Sequence, residues 1–341
     1  MPTTVYLVRH GTTDYNVACR WQGVIDAPLN ALGEKQGALL TDYFKAIPID
    51  VAATSPLKRA RQTLAYVLTG QDHDVPVVVD PGLKEIDFGI VEGRPMQEVS
   101  VIFPNFAAAA KNAPGKLVSP GGEGGAQVYN RVRDAVLGIV RRYHGKTIAI
   151  ASHGFAIQTW LNYAAGIPAE AMREWVLANV AVSKFTFDKD LNVTVDYVGD
   201  ARHLVPALQY RFDWEDLTKM RPLLIVGRGG AKDARARAFC REREVLRRDV
   251  AADPLRREES LALLERAGPR YRRLLDTKAA AYRAARLKTR AAGLSLRALA
   301  NAMTAAPDLI KTPMLVWPDR LLAGFHEAAW RQAFADSAEG R

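Results

Sequence analysis

Short apolar runs rich in β-branched residues alternate with longer segments of helical spacing through the first part of the chain. TVYLV (4–8), VAAT (51–54), VVVD (77–80) and TIAIAS (147–152) read as strands, and VSKFTF (182–187) with VTVDYV (193–198) closes the series. Between them, segments such as 30–47 and 56–68 space their apolar residues for helices. Parallel strands need crossover connections, and helical crossovers must pack back onto the sheet. The alternation therefore predicts an α/β fold, a three-layer, mostly parallel sheet covered on both faces. Ligands of such sheets collect beyond the carboxyl ends of the strands.

Polar clusters stand at those ends. Arg9, His10 and Gly11 follow the first run, and Lys58, Arg59 and Arg61 follow the second. Glu85 and Asp87 come after the third, and His153 follows 147–152. Two histidines, several arginines and an acid brought to one sheet edge would cradle a tetrahedral dianion, because guanidinium forks match phosphate oxygens. Arg9 beside His10 disfavours the imidazolium: two unit charges about 4 Å apart interact by roughly 4 kcal/mol at an effective dielectric near 20. A lone buried histidine is more often a satisfied core residue. Lys58 and Arg61 read as helix-face charges, and His73, His144, His203 and His326 show no ligand spacing.

The blocks VRHGTTDYN (8–16), SPLKRARQT (55–63), LKEIDFGIVEG (83–93) and SHG (152–154) occur in this order. Together with DAPLNALGEKQG and GDARHL they resemble the histidine phosphatase (phosphoglycerate mutase-like) superfamily over about residues 3–204. The resemblance implies that His10 attacks phosphorus to form a phosphohistidine. Arg9, Arg59 and His153 would hold the phosphoryl oxygens. Glu85 would protonate the leaving oxygen and then activate water, with Asp87 as the competing acid. Asn16, the Gly11 amide, Glu123 and Gly154 would complete the phosphate and substrate contacts. No metal and no cofactor is implied, because fixed cations do that work. Family members often carry Gly-Gly-Glu-Ser where this chain has SPGGEGG (119–125), so Gly124 replaces a hydroxyl donor. Cofactor-dependent mutases of this type carry a longer insertion after the acid block. Only about three dozen residues separate Glu85 from Glu123, which favours hydrolysis of a small phosphate monoester.

A chain of 341 residues is long for one core, and charge marks a division. Residues 1–220 hold 22 Lys/Arg against 23 Asp/Glu, whereas 221–341 hold 25 against 14. The expected boundaries are a first domain at 1–204, a linker at 205–221 and a second domain at 222–341. The second begins PLLIVGRGG, a strand and glycine turn, and continues with a helix through Cys240. The segments 274–287, 294–316 and 320–330 resemble downstream blocks of the arsenate reductase and Spx family, which implies a thioredoxin-like α/β domain. Aligning that family's arginine with Arg235 puts Ala231 where its thiol belongs and Ala234 where a resolving thiol can follow, so thiol–disulfide chemistry is lost. Pro313 takes the family's cis-proline position, preceded by Thr312 instead of arginine. GRGGAK has neither the Gly-Lys-Ser/Thr ending of a P-loop nor the third glycine of a dinucleotide fingerprint.

The remaining possibilities are regulatory. The basic domain invites polyanions, and nucleic acid, a protein partner or self-association are the alternatives to substrate recognition. A phosphoryl transferase using the same histidine is the enzymatic alternative. Two cysteines, Cys19 and Cys240, form no disulfide framework or metal pattern, which points to a reducing, cytoplasmic compartment. No run is long enough for a membrane span.

Overall fold

The computed structural model describes residues 1–209, 221–227, 229–290 and 293–339. Most of the expected linker, 210–220, lies outside the described residues. The chain divides into two compact units, Met1–Met96 with Ala108–Trp214, and Gln97–Ala107 with Glu215–Arg341. The contiguous boundary expected from charge thus misses one excursion: residues 97–107 leave the first unit and join the core of the second.

In the first unit six strands form one sheet. They are β1 (Thr3–Arg9), β2 (Val51–Thr54), β3 (Val77–Val79), β4 (Thr147–Ser152), β5 (Val182–Phe187) and β6 (Val193–Asp200), in the spatial order β3-β2-β4-β1-β5-β6. The first four pair in parallel, and β5 and β6 run antiparallel at one side. Every residue of β2 is buried, and β1 and β4 nearly so, as central strands with both faces covered should be. The edge strand β6 buries none of its residues fully. Helices α1 (Asp14–Val17), α2 (Ala31–Phe44), α3 (Lys58–Thr69), α4 (Met96–Ile102), α5 (Pro104–Asn112), α6 (Gly125–Arg142) and α7 (Gly154–Ala164) connect the strands. Asn30 caps α2 by accepting from the Gly33 amide at 3.0 Å. The first turn of α2 lies hard against the loop after β1: a Cβ on Gly33 would fall 2.1 Å from the Thr12 carbonyl oxygen. Only glycine permits that approach.

The second unit has four strands, β7 (Leu223–Val226), β8 (Leu246–Asp249), β9 (Met314–Val316) and β10 (Leu321–Ala323), ordered β10-β9-β7-β8. β7 and β8 are parallel, and β9 is antiparallel to β7 and β10. With α8 (Ala231–Phe239), α9 (Arg257–Ala267), α10 (Leu296–Ala305) and α11 (Glu327–Glu339) this makes a second, smaller α/β layer structure. The strand β9 begins only at Met314, after a cis Thr312–Pro313 bond, because proline cannot donate to the ladder. Val101 and Ile102 of α4 sit in this unit's core with Leu223, Leu263 and Met314. Glu98 of the same helix pairs at 2.8 Å with the buried Arg248, which Glu259 also holds at 2.8 Å.

Candidate active site

The carboxyl ends of β1, β2 and β4 meet at one edge of the first sheet, and the expected residues converge there. β1 ends at Arg9, so His10 is the first residue past the strand; β4 ends at Ser152, and His153 caps α7. The His10 and His153 rings lie 5.2 Å apart, tilted by 55°. Arg59, one residue into α3, is 1 % exposed. Its guanidinium donates to the Ile25 carbonyl at 2.8 Å and to Gly23 at 2.7 Å, which fixes the fork and leaves further N–H groups for a ligand. Arg9 donates to the Leu177 carbonyl.

His10 Nδ1 lies 2.7 Å from the Gly11 carbonyl oxygen. A carbonyl only accepts, so Nδ1 carries the hydrogen and Nε2 holds the lone pair. Burial, then the Arg59 and Arg9 guanidinium charges, hold the His10 imidazole well below the usual histidine range. The sequence pointed to Arg9 as the cause; the fold puts burial first and Arg59, far along the chain, second. His153 is depressed in the same way by burial, Arg59 and His10. Its Nε2 is 2.8 Å from Ser55 Oγ, while its buried Nδ1 has no partner among the described residues. Burial lowers Arg59 to about 10, which leaves it cationic at neutral pH.

Glu85 is the acid of this edge. Its Oε2 accepts from the Phe155 amide at 3.1 Å, and its Oε1 accepts from Ala156 at 3.1 Å and Ile86 at 3.0 Å. The first turn of α7 therefore orients the carboxylate, a helix N-terminus favouring negative charge. Asp87 caps a turn instead, accepting from the Gly89 amide at 2.7 Å. Lys58 is an exposed ion-pair partner of Asp26 at 3.6 Å. Arg9, His10, Asn16, Arg59, Glu85 and Gly154 all line a cleft of about 180 Å³.

Two expected phosphate ligands are engaged elsewhere. The Gly11 amide donates to Thr63 Oγ1 at 2.9 Å, which locks the catalytic loop onto α3. Glu123 does not line the cleft; Arg131 grips its carboxylate at 2.7 and 2.9 Å, and it accepts from the Asp87 amide at 3.0 Å. Its work is to hold the acid loop. Gly124, where a hydroxyl donor was expected, is the N-cap of α6, so the missing serine removes a helix cap.

The sequence reading missed several groups. Ser55 orients His153, and Gln36 Oε1 accepts from both the amide and hydroxyl of Thr12 at 2.9 Å. Gln22 lines the cleft with its Nε2 buried and unpartnered among the described residues. Val180, at φ +54, donates to the Arg9 carbonyl at 3.1 Å. A β-branched residue in the left-handed region is strained, and strain of this kind gathers at functional sites. A polar residue inside an apolar helical stripe, as at Gln36, was the one available signal.

The histidine phosphatase superfamily (branch 1) profile matches residues 5–199. The chain belongs to the histidine phosphatase superfamily. It is 32% identical over 209 residues to the "Probable phosphoglycerate mutase GpmB" of Cronobacter sakazakii, covering 60% of this chain and 96% of the relative. It is 32% identical over 195 residues to the "Uncharacterized phosphatase PhoE" of Bacillus subtilis, covering 57% and 94%. The solved structure of YhfR from Bacillus stearothermophilus is similar at 30% identity and TM-score 0.56, covering 59% of this chain and 98% of that one. Alpha-ribazole phosphatase from Shigella flexneri is similar at 26% identity and TM-score 0.51, covering 58% and 96%. Residues 221–333 match the ArsC family, so the histidine phosphatase unit shares its chain with an arsenate-reductase-like one.

In that second unit the loop after β7 has no thiol. Asp233 Oδ2 accepts from the Gly227 amide at 3.2 Å and from Thr312 Oγ1 at 3.3 Å. The Arg235 guanidinium lies 5.3 Å from the Phe325 ring centroid. Burial raises the Cys240 thiol to about 11, which suits a packing residue and not a nucleophile. Among the described residues no helix is long and apolar enough to cross a membrane.

Proposed function

We propose that the first unit hydrolyses a small phosphate monoester through a phosphohistidine on His10. The observation that carries this reading is the Gly11 carbonyl on His10 Nδ1, which leaves a neutral ring with its Nε2 lone pair among guanidinium groups. Nε2 attacks phosphorus and the bond to the leaving oxygen breaks, while a proton held on Glu85 passes to that oxygen. Arg9 and Arg59, which line the cleft, stabilise the charge on the equatorial oxygens, and His153 Nδ1, without a partner among the described residues, is a further donor beside the His10 ring. Gln22 Nε2 and Asn16 add donors at the mouth. Glu85 then takes a proton from water as that water attacks phosphorus, the P–N bond breaks and His10 is restored.

Trp21, Phe88, Phe155 and Trp175 wall the cleft, with Arg20 and Glu174 at its polar side. A compact alcohol with an apolar or ring face fits that lining. Relatives named as a mutase and as phosphatases keep transfer to a hydroxyl acceptor as the second reading. Phosphate release from a panel of monoesters in EDTA, with and without His10→Ala, tests the proposal. Acid-labile, alkali-stable label trapped on the wild type supports the phosphohistidine, and its absence despite turnover would sink it. Product analysis with added alcohols separates hydrolysis from transfer.

A further inference from the structure

The second unit holds a cavity of about 590 Å³ that shares no lining residue with the His10 cleft. Its lining joins the end of α9 and the turn after it to Lys311, β10 and the start of α11. Arg270, Arg273, Lys311 and His326 line it without an anionic partner among the described residues. Arg266 lines it too, its guanidinium held by the Val101, Ile102 and Trp317 carbonyls at 2.6, 2.8 and 2.9 Å. The one acid in the lining, Asp319, is already met at 3.1 Å by Arg320.

Lys311 and His326 share a floor. A Cβ built on Gly324 would fall 3.6 Å from Lys311 Cε and 3.7 Å from His326 Nε2, so the two side chains meet over this glycine. Gly324 has φ +84, which suits glycine, and its carbonyl is fixed by the Trp330 indole at 3.1 Å. Leu274, Leu321 and Leu322 supply an apolar wall. Unpaired like charges gathered in a concavity repel one another, and a bound polyanion removes that cost. Arginine forks match phosphate oxygens, and the volume falls in the range of sites for whole organic ligands, larger than a single phosphate needs.

We propose that this cavity is a second ligand site, for a small organic molecule carrying two or more phosphate groups. It requires nothing of the His10 chemistry. A concave, partly apolar lining favours such a molecule over a nucleic-acid backbone, which a convex basic stripe would serve equally well.

The test uses the full chain in EDTA with adenylyl imidodiphosphate, whose terminal bridge resists hydrolysis. Hydrogen-exchange mass spectrometry should show ligand-dependent protection at residues 266–274 and 311–326. The double substitution Arg273→Ala with Lys311→Ala should weaken binding at least about tenfold, since each lost charge-assisted bond weakens the complex. Arg270→Ala alone, a change at an exposed side chain, should give a smaller loss in the same direction, which guards against misfolding of the double variant. Protection confined to residues 9–23 and 153–177, or no saturable binding up to about 1 mM, would overturn the proposal. So would tight binding of a short DNA duplex, sensitive to the same substitutions, with no nucleotide binding.

Discussion

In the first unit, the turn after β4 gives the first amides of α7 to Glu85, beside a cleft that Arg9, His10 and Arg59 also line. In the second unit, the turn after β7 gives its Gly227 amide and the Thr312 hydroxyl to Asp233, a carboxylate of the chain itself. Both are strand–loop–helix corners suited to anions. Both seat a carboxylate of the chain; the first stands beside a cleft lined by His10, Arg9 and Arg59, and the second has no cysteine in its loop. A fold's anion-binding corner is thus a resource that a few side chains commit to catalysis or to stability.

The sharpest way to break this contrast is to remove the proposed nucleophile. His10→Ala should lower kcat/KM by more than about 10⁴-fold, as loss of a covalent nucleophile does. Glu85→Gln should cost about 10²–10⁴-fold, and steady-state kinetics on the best monoester would check both. Equal loss on replacing Asp233 would end the distinction between the corners.

Acid should then separate the two units. His10 and His153 are both held below the usual 6.5 in the folded state, by burial first and by Arg59 next. The unfolded chain therefore binds more protons as pH falls below that value, so stability falls with pH by about 1.4 kcal/mol per unit for each histidine until its folded value is passed. Half-buried His203 adds in the same direction, and His73, raised by Asp72, opposes it. Denaturant unfolding between pH 7 and 5 should show the first unit's transition moving down and the second unit's holding. His153→Asn should flatten that slope.

Asp233→Ala leaves a buried amide and hydroxyl without an acceptor, which should cost the second unit about 1–3 kcal/mol. Added sulfate should return part of it relative to the wild type, read from the second unit's unfolding midpoint. No loss would mean that the corner does not need its internal anion. The smallest effect is expected at α6, where Gly124→Ser supplies the absent cap at φ −92 but brings a Cβ to 3.3 Å from the Leu117 carbonyl oxygen, so the net change should stay within a few tenths of a kcal/mol. Turnover should not change, because Gly124 lies outside the cleft lining.

Much of the site was legible because its residues sit at strand ends in fixed order. Arg9, His10, Arg59, Glu85 and His153 needed only the alternation of strands and helices to be placed together. What stayed hidden depends on which partner takes each hydrogen bond. Gly11 looked like a phosphate ligand until Thr63 claimed its amide, and Glu123 looked like a substrate contact until Arg131 closed on it. Residues 97–107 offered no signal of leaving their unit, since an apolar helical face does not say which core it will join.

The sequence by itself determined the sheet, the order of the family's blocks and the absence of a cysteine from the loop after β7, because periodicity and residue identity are local properties. Only the tertiary structure decided the tautomer of His10, the primacy of burial over Arg9 in keeping it neutral, and the placing of Glu85 and not Asp87 in the cleft lining. Those depend on distances between residues far apart in the chain. Burial and hydrogen-bond geometry exist only once the strands have brought them together.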